Sequence, residues 1–125
     1  MSWTAVETNK HQDHVIAHVI GATPLEHFIH DETAYLLLDI GFIWNIYLDM
    51  EMGLVPQRLA LSELGVDAEL LQRTKVEVGP IEAVELLEDG EERRLVLNCE
   101  QGKLIIETSL SHRWTRINPG PSAAH

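Results

Sequence analysis

Two short turn signals in the second half of the chain constrain the fold more than any other feature. Asp89-Gly90, inside Glu88-Asp89-Gly90-Glu91, is the first and Gln101-Gly102 is the second. Asp-Gly favours the tight loops that join antiparallel strands, because glycine adopts positive φ at little cost. A loop centred on each signal pairs Val84 with Leu95 and Leu86 with Arg93, then Leu97 with Ile106 and Cys99 with Leu104. Strand side chains alternate with period two. One face therefore collects Val84, Leu86, Leu95, Leu97, Cys99, Leu104 and Ile106. The other carries Glu85, Arg94, Asn98, Glu107 and Ser109, with Glu85 opposite Arg94. Two independent turns select the same apolar face, which predicts a three-stranded antiparallel meander. Its last strand runs on through Leu110 towards Trp114 and Ile117.

Upstream the same reading gives more strands. His14 to Ile20 is rich in β-branched Val and Ile and reads as a strand. Gly21 to Pro24 reads as a turn, and Leu25 to His30 as the returning strand. Phe42 to Leu48 alternates, and Thr74 to Val78 is a short strand closed by Gly79-Pro80. Asp67 caps a short helix over Ala68 to Arg73 by accepting a free backbone N–H. The segment Glu32 to Ile40 is open. It is either a strand bulged at Gly41 or a helix capped by Asp31 and ended by Gly41. The expected fold is mainly β, a single antiparallel small barrel or sandwich of about seven strands with one short helix. The alternative is α+β with a second helix near 32–40. The expected division is a flexible N-terminal segment 1–12, a globular domain 13–117 and a flexible C-terminal tail 118–125.

The formal net charge of -11 argues against nucleic acid and anionic membranes, both of which call for a positive field. It suits a basic protein partner. Lys10 is the only base before Arg58, against eight acids, so cation-attracting surface is expected in the first half. The N-terminus lacks a basic start and an apolar core, so no secretory signal is expected. The longest apolar run, Ala34 to Leu48, is interrupted by Asp39, Gly41 and Asn45 and is too polar to span a bilayer. Cys99 is the single cysteine, which excludes an internal disulfide and fits a reducing, cytoplasmic setting.

Five of the seven histidines lie between His11 and His30. On a helix, His14 and His18 at i, i+4 form a two-ligand clamp. On a strand they stand about 13 Å apart at about 3.3 Å per residue, too far to share an ion. The strand reading instead sets His18 opposite His27 and His14 opposite Asp31 across a hairpin tipped at Ala22-Thr23. The metal candidates are then His18, His27 and Asp31, for zinc or a similar divalent ion; the competing reading makes them solvent-facing histidines of a half-buried sheet.

Phe42, Trp44, Tyr47 and Asp39 form a second candidate set, lining a ligand cavity with Asp39 as its polar floor; core packing is the competing role of the aromatics. Met50 and Met52 read as an adaptable loop tip. Ser111 and His112, as strand neighbours, point apart and make no dyad. Cys99 belongs to the apolar face. Phosphate loops, nucleophile elbows and zinc-protease motifs are missing from the sequence. These features favour a non-catalytic module that binds a basic protein partner or a small apolar ligand, without a cofactor. The alternative is a small metal-binding protein or enzyme built on the His18–His27 pair.

Overall fold

A computed structural model describes residues 2–64 and 71–120. Within them the chain is mainly β, with ten strands in two antiparallel five-stranded sheets. The first sheet has the order β1-β7-β8-β9-β10, from Thr4–Ala5, Ile81–Asp89, Glu92–Cys99, Gly102–Ser109 and Trp114–Gly120. The second has the order β5-β4-β3-β2-β6, from Met52–Pro56, Phe42–Ile46, Thr33–Leu38, Pro24–His30 and Thr74–Lys75. The sheets face each other as a sandwich; they do not close into a barrel.

The expected apolar face exists. Leu86, Leu95, Leu97, Cys99, Leu104 and Ile106 are buried in the main core, and Val84 packs against it. Facing them from the second sheet are Ala34, Leu36, Leu38, Trp44 and Ile46. Both loops of the meander sit one residue away from the expected place. Leu86 pairs with Leu95, Val84 with Leu97 and Leu97 with Leu104. A one-residue displacement of a loop moves each partner by two positions, so the period-two faces survive.

The open segment from Glu32 to Ile40 resolves as strand over Thr33–Leu38, with turns at Glu32 and at Asp39-Ile40, which removes the helix near 32–40. β3 is the central strand of its sheet and is covered on both sides. Ala34, Leu36 and Leu38 enter the main core, while Tyr35 and Leu37 enter a second one with Phe28, Ile43 and Ala60. A strand buried on both faces reads as an unbroken apolar run, which periodicity cannot tell from a helix. The second core is capped by α2, Gln57–Glu63, a helix the sequence reading does not anticipate. The expected helix at Ala68 to Arg73 lies partly outside the described residues, and Leu71 to Arg73 are not helical.

The largest correction is at the N-terminus. His14 to Ile20 is not a strand; Lys10–Val19 form α1. Asn9 caps it through a reciprocal box, accepting from the Gln12 N–H at 2.8 Å while the Gln12 side chain accepts from the Asn9 N–H at 3.0 Å. Val15 and Val19 enter the main core and Ile16 packs against it. Gly21, at φ 89, then turns the chain, and backbone bonds join Gly21 and Ala22 to Ile81. α1 packs on β5, so it covers the side of the core away from β10, which meets β2 and β3. The segment expected to be loose at 1–12 thus contains a strand pairing with β7 and the first turn of α1. β10 likewise carries order through Gly120, past the expected domain end at 117. No helix among the described residues is long and apolar enough to cross a membrane.

Candidate functional site

Three loops meet at one end of the sandwich. The β2–β3 turn is Asp31-Glu32, between the paired residues His30 and Thr33. Both turn residues have positive φ, 50° and 67°, the pattern of a type I′ hairpin. The β4–β5 loop contains Met50 at φ 70, and the β9–β10 loop contains Arg113 at φ 53. These four are the positive-φ residues other than glycine among the described residues, and all belong to this end. Each such residue costs about 1–2 kcal/mol of backbone strain.

Tertiary bonds hold the strained loops in place. Arg113 grips Glu32 with two guanidinium bonds, Nη2 to Oε2 at 2.8 Å and Nε to Oε1 at 3.3 Å. The Thr115 hydroxyl donates to the Glu32 carbonyl at 2.6 Å. Met50 is buried, and its carbonyl accepts from Gln12 Nε2 of α1 at 2.8 Å. Its N–H donates to the Tyr47 carbonyl at 2.9 Å. Asn9 Nδ2 reaches Glu51 at 2.7 Å, and His11 Nε2 is 2.8 Å from the Met52 carbonyl. The first turn of α1 is therefore a clamp on the β4–β5 loop.

Between these loops lies an open cleft of about 370 Å³, lined by Asp31, Glu32, Thr33, Tyr47, Leu48, Asp49, Leu110 and Arg113. Its one base is held by Glu32. Asp49 uses Oδ1 to accept the Glu51 N–H at 3.0 Å. Tyr47 is 41% exposed and presents ring surface here. Carboxylates beside an exposed aromatic ring suit an ammonium or guanidinium group, which gains from charge and from the ring face together.

On the far side of the β9–β10 loop, His112 Nδ1 lies 3.0 Å from Ser111 Oγ and 3.3 Å from Ser109 Oγ. The expectation that Ser111 and His112 point apart fails because both sit in a turn, not a strand. Ser109 is only 1% exposed, so its hydroxyl is inaccessible as a nucleophile.

The structure disperses the residues grouped from sequence. His18 is on the exposed face of α1, whereas His27 is on β2 opposite Leu36 and Thr74. The cross-hairpin pair therefore does not form, and Asp31 lies in the loop cleft apart from it. Burial lowers the His27 pKa. Of the four cavity candidates only Tyr47 reaches the cleft. Trp44 is fully buried in the main core, Phe42 is half-buried at the start of β4, and Asp39 Oδ1 caps the Thr23 N–H at 2.9 Å. Asn45, read from sequence with Asp39 as a polar group in an apolar run, is buried with Oδ1 unpartnered among the described residues. Met50 and Met52 are core residues, not an exposed tip. The cleft residues missed in sequence, Glu32, Asp49 and Arg113, come from three separate loops and share no spacing.

Neither protein-family models, nor curated proteins, nor solved structures match the chain. The reading of the site rests on its own chemistry. Among the described residues no three histidine, cysteine or carboxylate groups converge as a metal centre.

Proposed function

We propose that this chain is a non-catalytic binding module whose loop-end cleft receives a cationic side chain of a basic protein partner. The observation that carries the reading is the cleft itself: three tethered, strained loops present Asp31, Asp49 and the exposed Tyr47 ring around one opening. Strained backbone held by surrounding bonds is a feature of preorganised recognition sites. The net charge of -11 adds long-range attraction for a basic partner. The small apolar ligand loses support, because Trp44 is consumed by the core.

The test is titration of isotope-labelled protein with an oligo-arginine peptide, with an oligo-glutamate peptide as control. The expected result is saturable NMR shifts at Asp31 to Thr33, Tyr47 to Asp49 and Leu110 to Arg113 that weaken with salt, as exposed charge pairs do. The double variant Asp31→Asn, Asp49→Asn should lose the shifts. Shifts spread evenly over the acidic surface, or unchanged in the double variant, refute the cleft.

A further inference from the structure

The helical period of α1 brings two of its histidines together. His14 and His18 are one turn apart on the exposed face of α1, with ring centroids 4.6 Å apart and planes at 60°. With His11, Val15 and Leu54 they line a shallow groove of about 240 Å³. We propose that His14 and His18 form a two-ligand site for a divalent transition cation of the zinc, nickel or copper class.

The hydrogen bonds prepare the ligand atom. His18 Nδ1 is 2.8 Å from the His14 carbonyl. A carbonyl only accepts, so Nδ1 carries the proton and Nε2 keeps its lone pair for a metal. A backbone carbonyl on the other ring nitrogen is the usual outer support of a metal-bound histidine. Two nitrogens at about 2.0–2.1 Å from one ion stand about 3 Å apart, and two histidines spaced i, i+4 on one helix face can serve a single ion. His11 is not a ligand of the same kind. Its Nε2 donates to the Met52 carbonyl at 2.8 Å, which fastens the helix to β5 beside the pair. The remaining coordination positions belong to water. Imidazole nitrogen selects borderline cations over calcium or magnesium, which take oxygen ligands.

Binding ties two turns of α1 together, so it stabilises the helix that clamps the β4–β5 loop. The experiment is calorimetric titration of the chain with nickel chloride, followed by histidine-ring NMR and thermal melts. Saturable binding at one equivalent is expected, with the His14 and His18 rings shifted together. His14→Ala and His18→Ala should each weaken binding at least tenfold, and His30→Ala should leave it unchanged. Nickel should raise the melting temperature of the wild type and not of either alanine variant. Both substituted side chains are exposed, so circular dichroism should show the fold intact. Binding that survives either substitution, or that shifts all histidines alike, overturns the proposal.

Discussion

Gln12 is the residue on which the loop-end cleft hangs. It is 5% exposed, unusual for a glutamine, and both ends of its amide are used. Nε2 donates to the Met50 carbonyl and Oε1 accepts from the Asn9 N–H. Gln12→Met keeps the volume and removes both bonds. Each bond contributes about 1 kcal/mol net, and a carbonyl left buried without its donor costs about 1–3 kcal/mol. The added apolar burial offsets part of this, which leaves a loss of about 2–3 kcal/mol. At about 4 °C per kcal/mol for a domain of this size, the melting temperature should fall by about 8–12 °C. Urea unfolding gives the free energy. Amide exchange reads the loop directly, because the Met50 N–H is bonded to Tyr47 and the Tyr47 N–H to Glu51. Both amides should exchange faster in the variant, while those of β8 fall only with global stability. Stability within about 0.5 kcal/mol of wild type, with unchanged Met50 and Tyr47 exchange, would refute the view that α1 holds this loop.

Two further outcomes follow from the first sheet. Burial tends to raise the Glu107 pKa, but the Arg94 bond at 2.9 Å, with the Arg94 and Arg116 charges and Asn118, outweighs it and the net shift is downward. A carboxylate with a lowered folded pKa contributes stability above its unfolded value of about 4.3 and loses it as pH falls through the folded value. Glu107→Gln should therefore cost about 2 kcal/mol at neutral pH and flatten the acid limb of a urea-midpoint-against-pH profile; an unchanged acid limb would count against the network. Burial, followed by the Glu82 charge, pushes the Cys99 thiol up to about 11, so an aromatic disulfide reagent at pH 8 should label it only after denaturant is added. Fast labelling of native protein would show that the β8–β9 end opens.

The second half of the chain was legible because a period-two pattern tolerates small errors in turn placement. The two errors have different causes. At the first hairpin the loop is Gly90-Glu91, with Gly90 at φ 63 in the first loop position, where a type II′ turn requires glycine. At the second the loop is Glu100-Gln101, and Gly102 is a strand residue paired with Cys99. A Cβ on Gly102 would stand 3.3 Å from Val78 Cγ1, so glycine serves close packing there and not the turn. A glycine in sequence does not say which of these two needs it meets. The cleft was illegible for another reason: its residues are contributed by loops far apart in the chain, and only the packing of the sheets sets them side by side.

At α1 side-chain burial outweighs intrinsic backbone propensity. β-branched Val15, Ile16, Val19 and Ile20 each disfavour helix by at most about 0.7 kcal/mol relative to alanine. Against this, burying one valine fully is worth about 1.5–3 kcal/mol, and Val15 and Val19 are both buried, with Ile16 packed beside them. Burial therefore exceeds propensity whenever one backbone period gathers the apolar residues better than the other. A strand over His14 to Ile20 would split them, placing Val15 and Val19 on one face and Ile16 and Ile20 on the other. A helix gathers Gln12, Val15, Ile16 and Val19 at i, i+3, i+4 and i+7. Asn9 with Gln12 three residues later supplies the start signal independently. The same period that collects the valines on the inner face sets His14 and His18 one above the other on the outer face. The histidine pair is thus a geometric consequence of how the core is filled; on a strand the two rings would stand about 13 Å apart.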